Sequence, residues 1–513
     1  MARWFNTAGP CKPDKHYMLP SLKRLPSVIK IIEEEGYFVI HAPRQTGKTT
    51  AMLNLAQQLT VEGQYCALMV SVEVGAAYSK APEKAEAAIL RAWLDAATFW
   101  LPSELHPPNW SECISVGQAL RAWAEVCPRP IVLFIDEIDA LRDDALISVL
   151  RQLRDGYPRR PKAFPQSLAL IGLRDVRDYK VASGGSRRLG TASPFNIKVE
   201  SLTLRNFTQT EVETLYSQHT EETGQLFTAQ AVQRAYELTQ GQPWLVNALA
   251  RQMVQTIARD YQVTLDVEHV DRAKEILIQR QDTHLDSLAE RLREPRVRAI
   301  IEPILAGQEL GPVSNEDIQF VLDLGLCVMS PQGGLTISNP IYREVLLRVL
   351  TVPPMASLPQ IAPTWLTPAG ELDPSKLLDA FLQFWRQHGE PLLRSAPYHE
   401  IAPHLVMMAF LHRVVNGGGT LEREYALGTG RMDLCLRYGK VTLGIELKVW
   451  RGGRADPLSG GLEQLDKYLG RLGTRSGWLV IFDRRRDASP IEERTTTEVC
   501  QSPQGRSITI VRG

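Results

Sequence analysis

The sequence predicts an α/β chain: an N-terminal parallel sheet covered by helices, a helical lid, a winged helix, and then a second, mixed α/β domain. Three observations carry this. Continuous apolar runs at 37–41 (Tyr-Phe-Val-Ile-His), 65–72, 130–136 and 167–172 alternate with helical stretches, the pattern of strands buried on both faces of a parallel sheet. From Phe207 to about Ala258 the text turns helical, with Thr208 placed as N-cap and Glu211 as its capping-box partner three residues on. Prolines at 353, 354, 359, 363, 368 and 374 oppose both continuous helix and central strand, which marks a linker.

The 513 residues suggest about three units at roughly 150 residues each. The expected division is a sheet core over 1–206, a lid over 207–265, a winged-helix-like segment over 266–350, the Pro-rich linker over 351–375 and the mixed α/β domain over 376–513. The winged helix rests on helices followed by Leu324-Gly-Leu-Cys-Val-Met-Ser, a Gly333-Gly334 turn and Leu335-Thr-Ile-Ser. In the last domain, 375–388 and 404–415 look helical, and strands with one helix follow.

Composition narrows the classes. Hydrophobic residues at 44% and charged ones at 23% exclude a mainly disordered chain. Lys+Arg and Asp+Glu both number 58, so no overall basicity advertises nucleic acid, although a local patch can hide in a balanced total. Met1–Pro10 has no apolar core of a signal peptide, and no apolar run approaches the ~18 residues of a membrane helix. Seven cysteines, never spaced Cys-x-x-Cys, fit reduced thiols in a cytoplasmic protein rather than a disulfide frame or structural zinc site.

Between the strand at 37–41 and the helix at 48–60 lies Ala42-Pro43-Arg44-Gln45-Thr46-Gly47-Lys48-Thr49-Thr50. A phosphate loop begins with Gly, and Ala42 departs from that. The remainder holds: loop N–H groups cradle phosphates, Lys48 reaches the β and γ oxygens, and Thr49 ligates magnesium. Downstream, the apolar strand Ile131–Ile135 ends in Asp136-Glu137. Asp136 suits the magnesium shell, and Glu137 suits orienting and deprotonating the attacking water. The expected cofactors are ATP and Mg²⁺.

On Pro43–Thr50, Asp136-Glu-Ile-Asp139 and Gly241-Gln-Pro-Trp244, residues 1–350 resemble AAA-type P-loop ATPases of the archaeal-ATPase and STAND-like branch. The resemblance implies a P-loop NTPase sheet and nucleotide contacts from Gly241 and Pro243, although a helix starting with proline reads the same way. It also makes Arg174, after the fourth apolar strand, either a γ-phosphate sensor or a surface arginine. Arg187 and Arg188, in a Gly-rich loop, are either a finger reaching a neighbour's phosphate in an ATP-promoted homo-oligomer or solvated charges.

A second chemical pattern lies near the C-terminus. Gly430-Arg-Met-Asp433-Leu-Cys435-Leu-Arg437 alternates like a strand, Tyr438-Gly439-Lys440 turns the chain, and Val441–Lys448 returns. The hairpin brings Asp433 towards Glu446, with Lys448 on the same face as Glu446. Two carboxylates and a lysine suit magnesium-assisted phosphodiester hydrolysis. Gln464 and Tyr468 share a helix face. Between 431 and 486 twelve basic residues face six acidic ones, and Arg484-Arg485-Arg486 suits a phosphate backbone or a solvated loop.

Gly-x-x-Asp, Glu-x-Lys and Gln-x-x-x-Tyr, in this order, resemble the PD-(D/E)XK nuclease superfamily over roughly 376–513. That resemblance implies catalytic roles for Asp433, Glu446, Lys448, Gln464 and Tyr468, DNA as partner, and a further metal-ligating glutamate. Glu400 is the candidate, with Glu424 second; Pro403 interrupts helix near Glu400. His399-Glu-Ile-Ala-Pro-His404 is one residue too long for a zinc-protease pair and carries a proline. The combined expectation is an ATPase whose nucleotide state controls a Mg²⁺-dependent DNA nuclease, plausible in defence or DNA processing. The rival is a switch or remodeller whose nuclease-like domain only binds nucleic acid or a partner.

Overall fold

The computed structural model describes all residues except 1–2, 111–112, 174–196, 281–282, 306–309, 332, 358–362, 396–401, 416–418, 425–432, 454 and 486. The chain forms two compact units. One is Met1–Arg280 with Leu322–Gly325, and the other is Gln281–Val321 with Leu326–Gly513.

The first unit is built on five parallel strands: β1 (Tyr37–His41), β2 (Cys66–Ser71), β3 (Ile131–Asp136), β4 (Ser167–Gly172) and β5 (Lys198–Thr203). Their order is β2-β3-β4-β1-β5. β3 and β4 are buried at every residue, as expected of strands covered on both faces. Alternate residues feed opposite cores. Phe38, Ile40, Val132 and Phe134 join helices α1 (Val28–Glu33) and α2 (Lys48–Glu62). Tyr37, Val39, Leu133 and Ile135 join α3 (Pro82–Trp100), α4 (Val116–Val126) and α5 (Asp143–Gly156). β5 was invisible in the sequence because Lys-Val-Glu-Ser-Leu-Thr at a sheet edge needs only one covered face.

The second core also holds a charge. The Glu86 carboxylate of α3 accepts from the Val116 amide at 2.8 Å, the Ser148 hydroxyl at 2.6 Å and the Gln152 amide at 2.8 Å. One carboxylate thereby ties α3 to both α4 and α5, and these donors satisfy it in the interior.

Thr208 caps α6 (Gln209–Thr223) as the sequence suggests: its hydroxyl accepts from the Glu211 amide, and the Glu211 carboxylate accepts from the Thr208 amide. α7 (Ala229–Thr239), α8 (Pro243–Gln252) and α9 (Val267–Arg280) form a helical bundle with α6. α9 was expected to open the winged helix at 266; instead Val270, Ala273 and Leu277 are buried as it packs on α7 and α8. Periodicity identifies the helix but not the surface that receives its apolar stripe. The N-terminal segment docks on this bundle. Arg3 pairs with Glu222, Phe5 packs on Tyr17 and Tyr216, and the Tyr17 hydroxyl meets His219 Nδ1 at 3.2 Å.

In the second unit, α10 (Thr283–Arg291), α11 (Pro295–Leu305) and α12 (Asn315–Asp323) precede a hairpin of β6 (Cys327–Met329) and β7 (Leu335–Ile337), turned at Gly333-Gly334. α13 runs Pro340–Ser357, through Pro353 and Pro354 and into the expected linker. Each proline removes one ladder bond, yet both fall in the last turn and a half. The helix body is held by buried Leu346, Leu347 and Leu350 and by packing on α10 and a later helix. Tertiary packing overrides the propensity there.

α14 (Pro374–Ser395) and α15 (Ala402–Val415) follow. Pro403 does not break α15; it occupies the first turn, where its missing N–H costs nothing. They cover one face of a mixed sheet ordered β12-β13-β11-β10-β9-β8. Its strands are β8 (Gly419–Glu424), β9 (Asp433–Tyr438), β10 (Val441–Trp450), β11 (Ser476–Asp483), β12 (Thr496–Gln501) and β13 (Ser507–Arg512). α16 (Leu458–Leu472) covers the other face with Leu465, Tyr468 and Leu469 against Cys435, Leu479 and Ile481. Among the described residues, no helix is long and apolar enough to cross a membrane.

Two predictions follow from burial. Glu86→Ala strands three buried donors and is expected to lower the stability of the first unit by about 3 kcal/mol, read by urea denaturation. In the second unit, burial lowers the pKa of His284 and of His404 to about 4. The unfolded chain binds these protons near pH 6.5 and the folded one does not. Stability is therefore full above about pH 6.5 and falls as pH drops towards 4. Urea midpoints of the second unit at pH 7.5 and 5 check this, and His404→Gln should flatten the slope.

Candidate functional site

The first site forms where β1, β3 and α2 converge. β1 delivers the chain into the loop Ala42–Gly47, and Gly47 at φ +89° opens α2 with Lys48 as its first residue. That left-handed angle suits glycine. Gln45 also has a positive φ, 58°, and the buried Thr46 hydroxyl donates to the Pro43 carbonyl at 2.9 Å. The loop curls around Lys48, whose ammonium donates to the carbonyls of Ala42 at 2.6 Å and Pro43 at 2.8 Å. Burial lowers the Lys48 pKa to about 8, opposed by the nearby carboxylates of Asp136 and Asp139. Arg44 and Gln45 project into solvent. The Thr50 hydroxyl accepts from the Cys11 amide at 3.1 Å, so it faces the N-terminal segment.

β4 separates β1 from β3, yet the parallel register carries Asp136 to the loop. Thr49 Oγ1 donates to Asp136 Oδ2 at 2.7 Å, and Asp136 Oδ1 accepts from the Glu137 amide at 2.9 Å. Burial raises the Asp136 pKa, and its hydrogen bonds with Thr49 and Glu137 oppose the shift. Glu137 adopts φ 57°, a left-handed turn just after β3 ends. Lost hydration, a hydrogen bond with Glu73 and the neighbouring carboxylates push its pKa up to about 7. A carboxyl poised near neutral pH is suited to accept a proton from water.

Three contributors carried no sequence signal. Glu73 follows β2, whose Ser71 is in register with Asp136. Arg24 is buried, donates from one nitrogen to the Thr46 carbonyl at 3.0 Å, contacts the Arg205 carbonyl and lies over the Phe207 ring. Gln242 caps α8, accepting from the Leu245 amide at 2.6 Å and donating to the Gln45 carbonyl at 3.4 Å. All three act through folding of distant segments; only the Gly-Gln-Pro pattern hinted at the last. Gly241 itself is pinned from behind: at φ +70°, an added Cβ would lie 1.9 Å from the Phe207 carbonyl oxygen. Pro243 starts α8 and is buried. It is Gln242, between them, that touches the loop. Arg174, Arg187 and Arg188 lie outside the described residues.

The second site lies on the α16 face of the mixed sheet. The two-residue turn Gly439-Lys440 sets a register in which Asp433 stands opposite Glu446, and Glu424 of β8 stands opposite Asp433. Three acidic residues therefore share one level on three neighbouring strands. Glu446 is fully buried, and its carboxylate pairs with the Lys448 ammonium, which also donates to Gln464 Oε1 of α16. Tyr468, one turn further along α16, is buried where α16 packs on Gly444 of β10. Glu400 lies outside the described residues. Of the basic triplet, read as suiting either a phosphate backbone or a solvated loop, Arg484 is exposed. Arg485 forks onto Asp483, at 2.7 Å for its shortest contact, and stacks 3.7 Å from the Trp450 ring; Arg486 is outside the described residues. Among the described residues, no group of three or more His, Cys, Asp or Glu is set to hold a metal ion.

Residues 31–179 match the family model of the AAA domain. Fold, loop and carboxylates together define this part of the chain as an AAA-type P-loop ATPase domain, which binds and hydrolyses ATP. The chain is similar to the Walker-type ATPase PABY2304 of Pyrococcus abyssi, at 12% identity over 67% of this chain and 99% of that one, TM-score 0.47. It is also similar to the Thermotoga maritima RuvB Holliday junction branch migration motor, at 15% identity over 63% and 92%, TM-score 0.35. A third is the Aeropyrum pernix ORC2 protein, at 12% identity over 67% and 96%, TM-score 0.34. No curated protein matches the sequence.

Lys48→Ala is expected to weaken ATP binding about 10- to 100-fold, because a charge-assisted contact to the phosphates is lost. Glu137→Gln keeps binding and slows hydrolysis about a hundredfold or more. Fluorescent-nucleotide titration and phosphate release separate the two.

Proposed function

We propose that the AAA-type domain uses ATP to control phosphodiester hydrolysis in DNA by the C-terminal mixed α/β domain. Within the ATPase site, Lys48 grips the β and γ phosphates and Gln242 links lid to loop. Thr49 and Asp136 would hold the Mg²⁺ that accompanies ATP; their directly bonded pair of hard oxygen donors fits such an ion. Glu137, with its raised pKa, takes the proton from the attacking water. Arg174 would sense the γ-phosphate. Arg187 or Arg188 would reach a neighbouring copy's nucleotide in an ATP-promoted homo-oligomer. The hairpin β6–β7 with its helices would act as a winged-helix coupling element.

One observation carries the nuclease reading: Asp433 and Glu446 stand in register with Lys448 and Gln464 beside them. A buried carboxylate in an otherwise apolar strand is costly unless it is paired and used. Asp433 and Glu446 would hold Mg²⁺, with Glu424 or Glu400 as a further ligand; oxygen donors on adjacent strands suit that ion. Bound there, the ion would polarise the scissile phosphate and acidify a water. Lys448, held by Gln464, orients that water, and Tyr468 secures the helix beneath it. A second reading, binding of DNA or a partner without cleavage, draws on the closed Glu446–Lys448 pair, which as it stands offers one carboxylate already neutralised.

The test is cleavage of linear, circular and single-stranded DNA with and without ATP and Mg²⁺. Asp433→Asn and Glu446→Gln, nearly isosteric, are expected to abolish cleavage while ATP hydrolysis continues. Lys448→Ala loses about a hundredfold in rate. Wild-type protein that binds DNA but cuts none of these forms under any nucleotide condition would replace the nuclease with the binding module.

A further inference from the structure

Two of the seven cysteines meet in the first unit, away from the ATPase site. Cys66 opens β2 and is fully buried; Cys127 ends α4 and is half-buried. Their side chains are neighbours, each the main influence on the other's ionisation, and the Cys66 thiol donates to the Leu105 carbonyl at 3.9 Å. The backbone holds both in place. The Cys66 amide donates to the Pro130 carbonyl at 2.9 Å, just before Cys66 pairs in register with Ile131. The Cys127 amide donates to Trp123 at 2.9 Å, and the Trp123 indole donates to the Leu105 carbonyl at 3.0 Å, beside the Cys66 sulfur. Arg129, two residues beyond Cys127, is anchored to the Thr60 carbonyl at 3.0 Å. Two neighbouring thiols on backbones fixed in this way are candidates to bond.

We propose that Cys66 and Cys127 are a peroxide-responsive dithiol that closes reversibly to a disulfide. The two thiols are unequal. The neighbouring Cys66, together with the Arg129 amide and guanidinium, lowers the Cys127 pKa, whereas Cys127 and burial raise the Cys66 pKa. Cys127, the more accessible, is the attacking thiolate. Its sulfur displaces hydroxide from hydrogen peroxide: an S–O bond forms, the O–O bond breaks, and the released hydroxide takes the Cys127 proton to leave as water. The Cys66 sulfur then attacks the sulfenic sulfur. An S–S bond forms, the S–O bond breaks, and the second hydroxide leaves as water with the Cys66 proton. Both cysteines together give up two electrons, and one peroxide is reduced to two waters. The product fastens edge strand β2 to the end of α4, and a dithiol reductant reopens it.

Full-length protein treated with hydrogen peroxide, alkylated and digested tests this. The expected result is a linked Cys66–Cys127 peptide, a fall in free thiols from seven to five as those two are consumed, and full recovery with dithiothreitol. Cys66→Ser should leave Cys127 as a sulfenic acid that a cyclic 1,3-dione traps, a readout that does not need the disulfide. In wild type, Cys127 should react with a thiol probe at pH 7 about tenfold faster than Cys113, which is also half-buried. Linkage of either cysteine to a different partner, or both remaining alkylatable at peroxide doses that oxidise other thiols, overturns the assignment.

Discussion

The hydrogen bond from Thr49 to Asp136 is the constraint on which the nucleotide site depends. It joins the first turn of α2, which β1 leads into, to the end of β3, and β4 lies between β1 and β3 in the sheet. Both strands must therefore be straight, parallel and in fixed register, because a slip of one residue would turn Asp136 to the opposite face. Complete burial of β3 and β4 makes any such slip costly. The same register brings Ser71 level with Asp136, and Glu73 follows just beyond it. The chemistry at the sheet's carboxyl edge is thus inherited from packing at its centre.

What the sequence made legible was what is local. The phosphate loop, the Asp136-Glu137 pair, four of five strands in the first sheet and the capping box at Thr208 are each written in a few consecutive residues, and each has a one-dimensional signature. Arg24, Glu73 and Gln242 were not legible, because their roles come from chain segments that meet only after folding. Gly241 illustrates the middle case: the pattern pointed to the turn, but not to its close contact with Phe207 behind it.

The second unit divides in the same way. Alternation and the tight turn at Gly439-Lys440 were enough to set Asp433 against Glu446, and Glu-x-Lys placed Lys448. Two expectations met tertiary contacts that composition cannot anticipate. α13 continues through its prolines because its buried leucines are held elsewhere; α9 turns its apolar stripe to α7 and α8. In each, the residue's intrinsic preference is smaller than the packing that opposes it.

The N-terminal segment has a consequence for how the protein is made. Arg3, Tyr17 and Thr7 bond to Glu222, His219 and Trp244, partners separated from them by 219, 202 and 237 residues. On the ribosome, residues 3–17 emerge before α6 and α8, the helices they dock on, have been translated. The aromatic cluster of Phe5 and Tyr17 stays exposed for that interval, a period in which apolar surface favours aggregation. Closing so long a loop also raises contact order and slows the last step of folding. The nascent sheet can form early, but residues 3–17 reach their places only after α6 and α8 have been made.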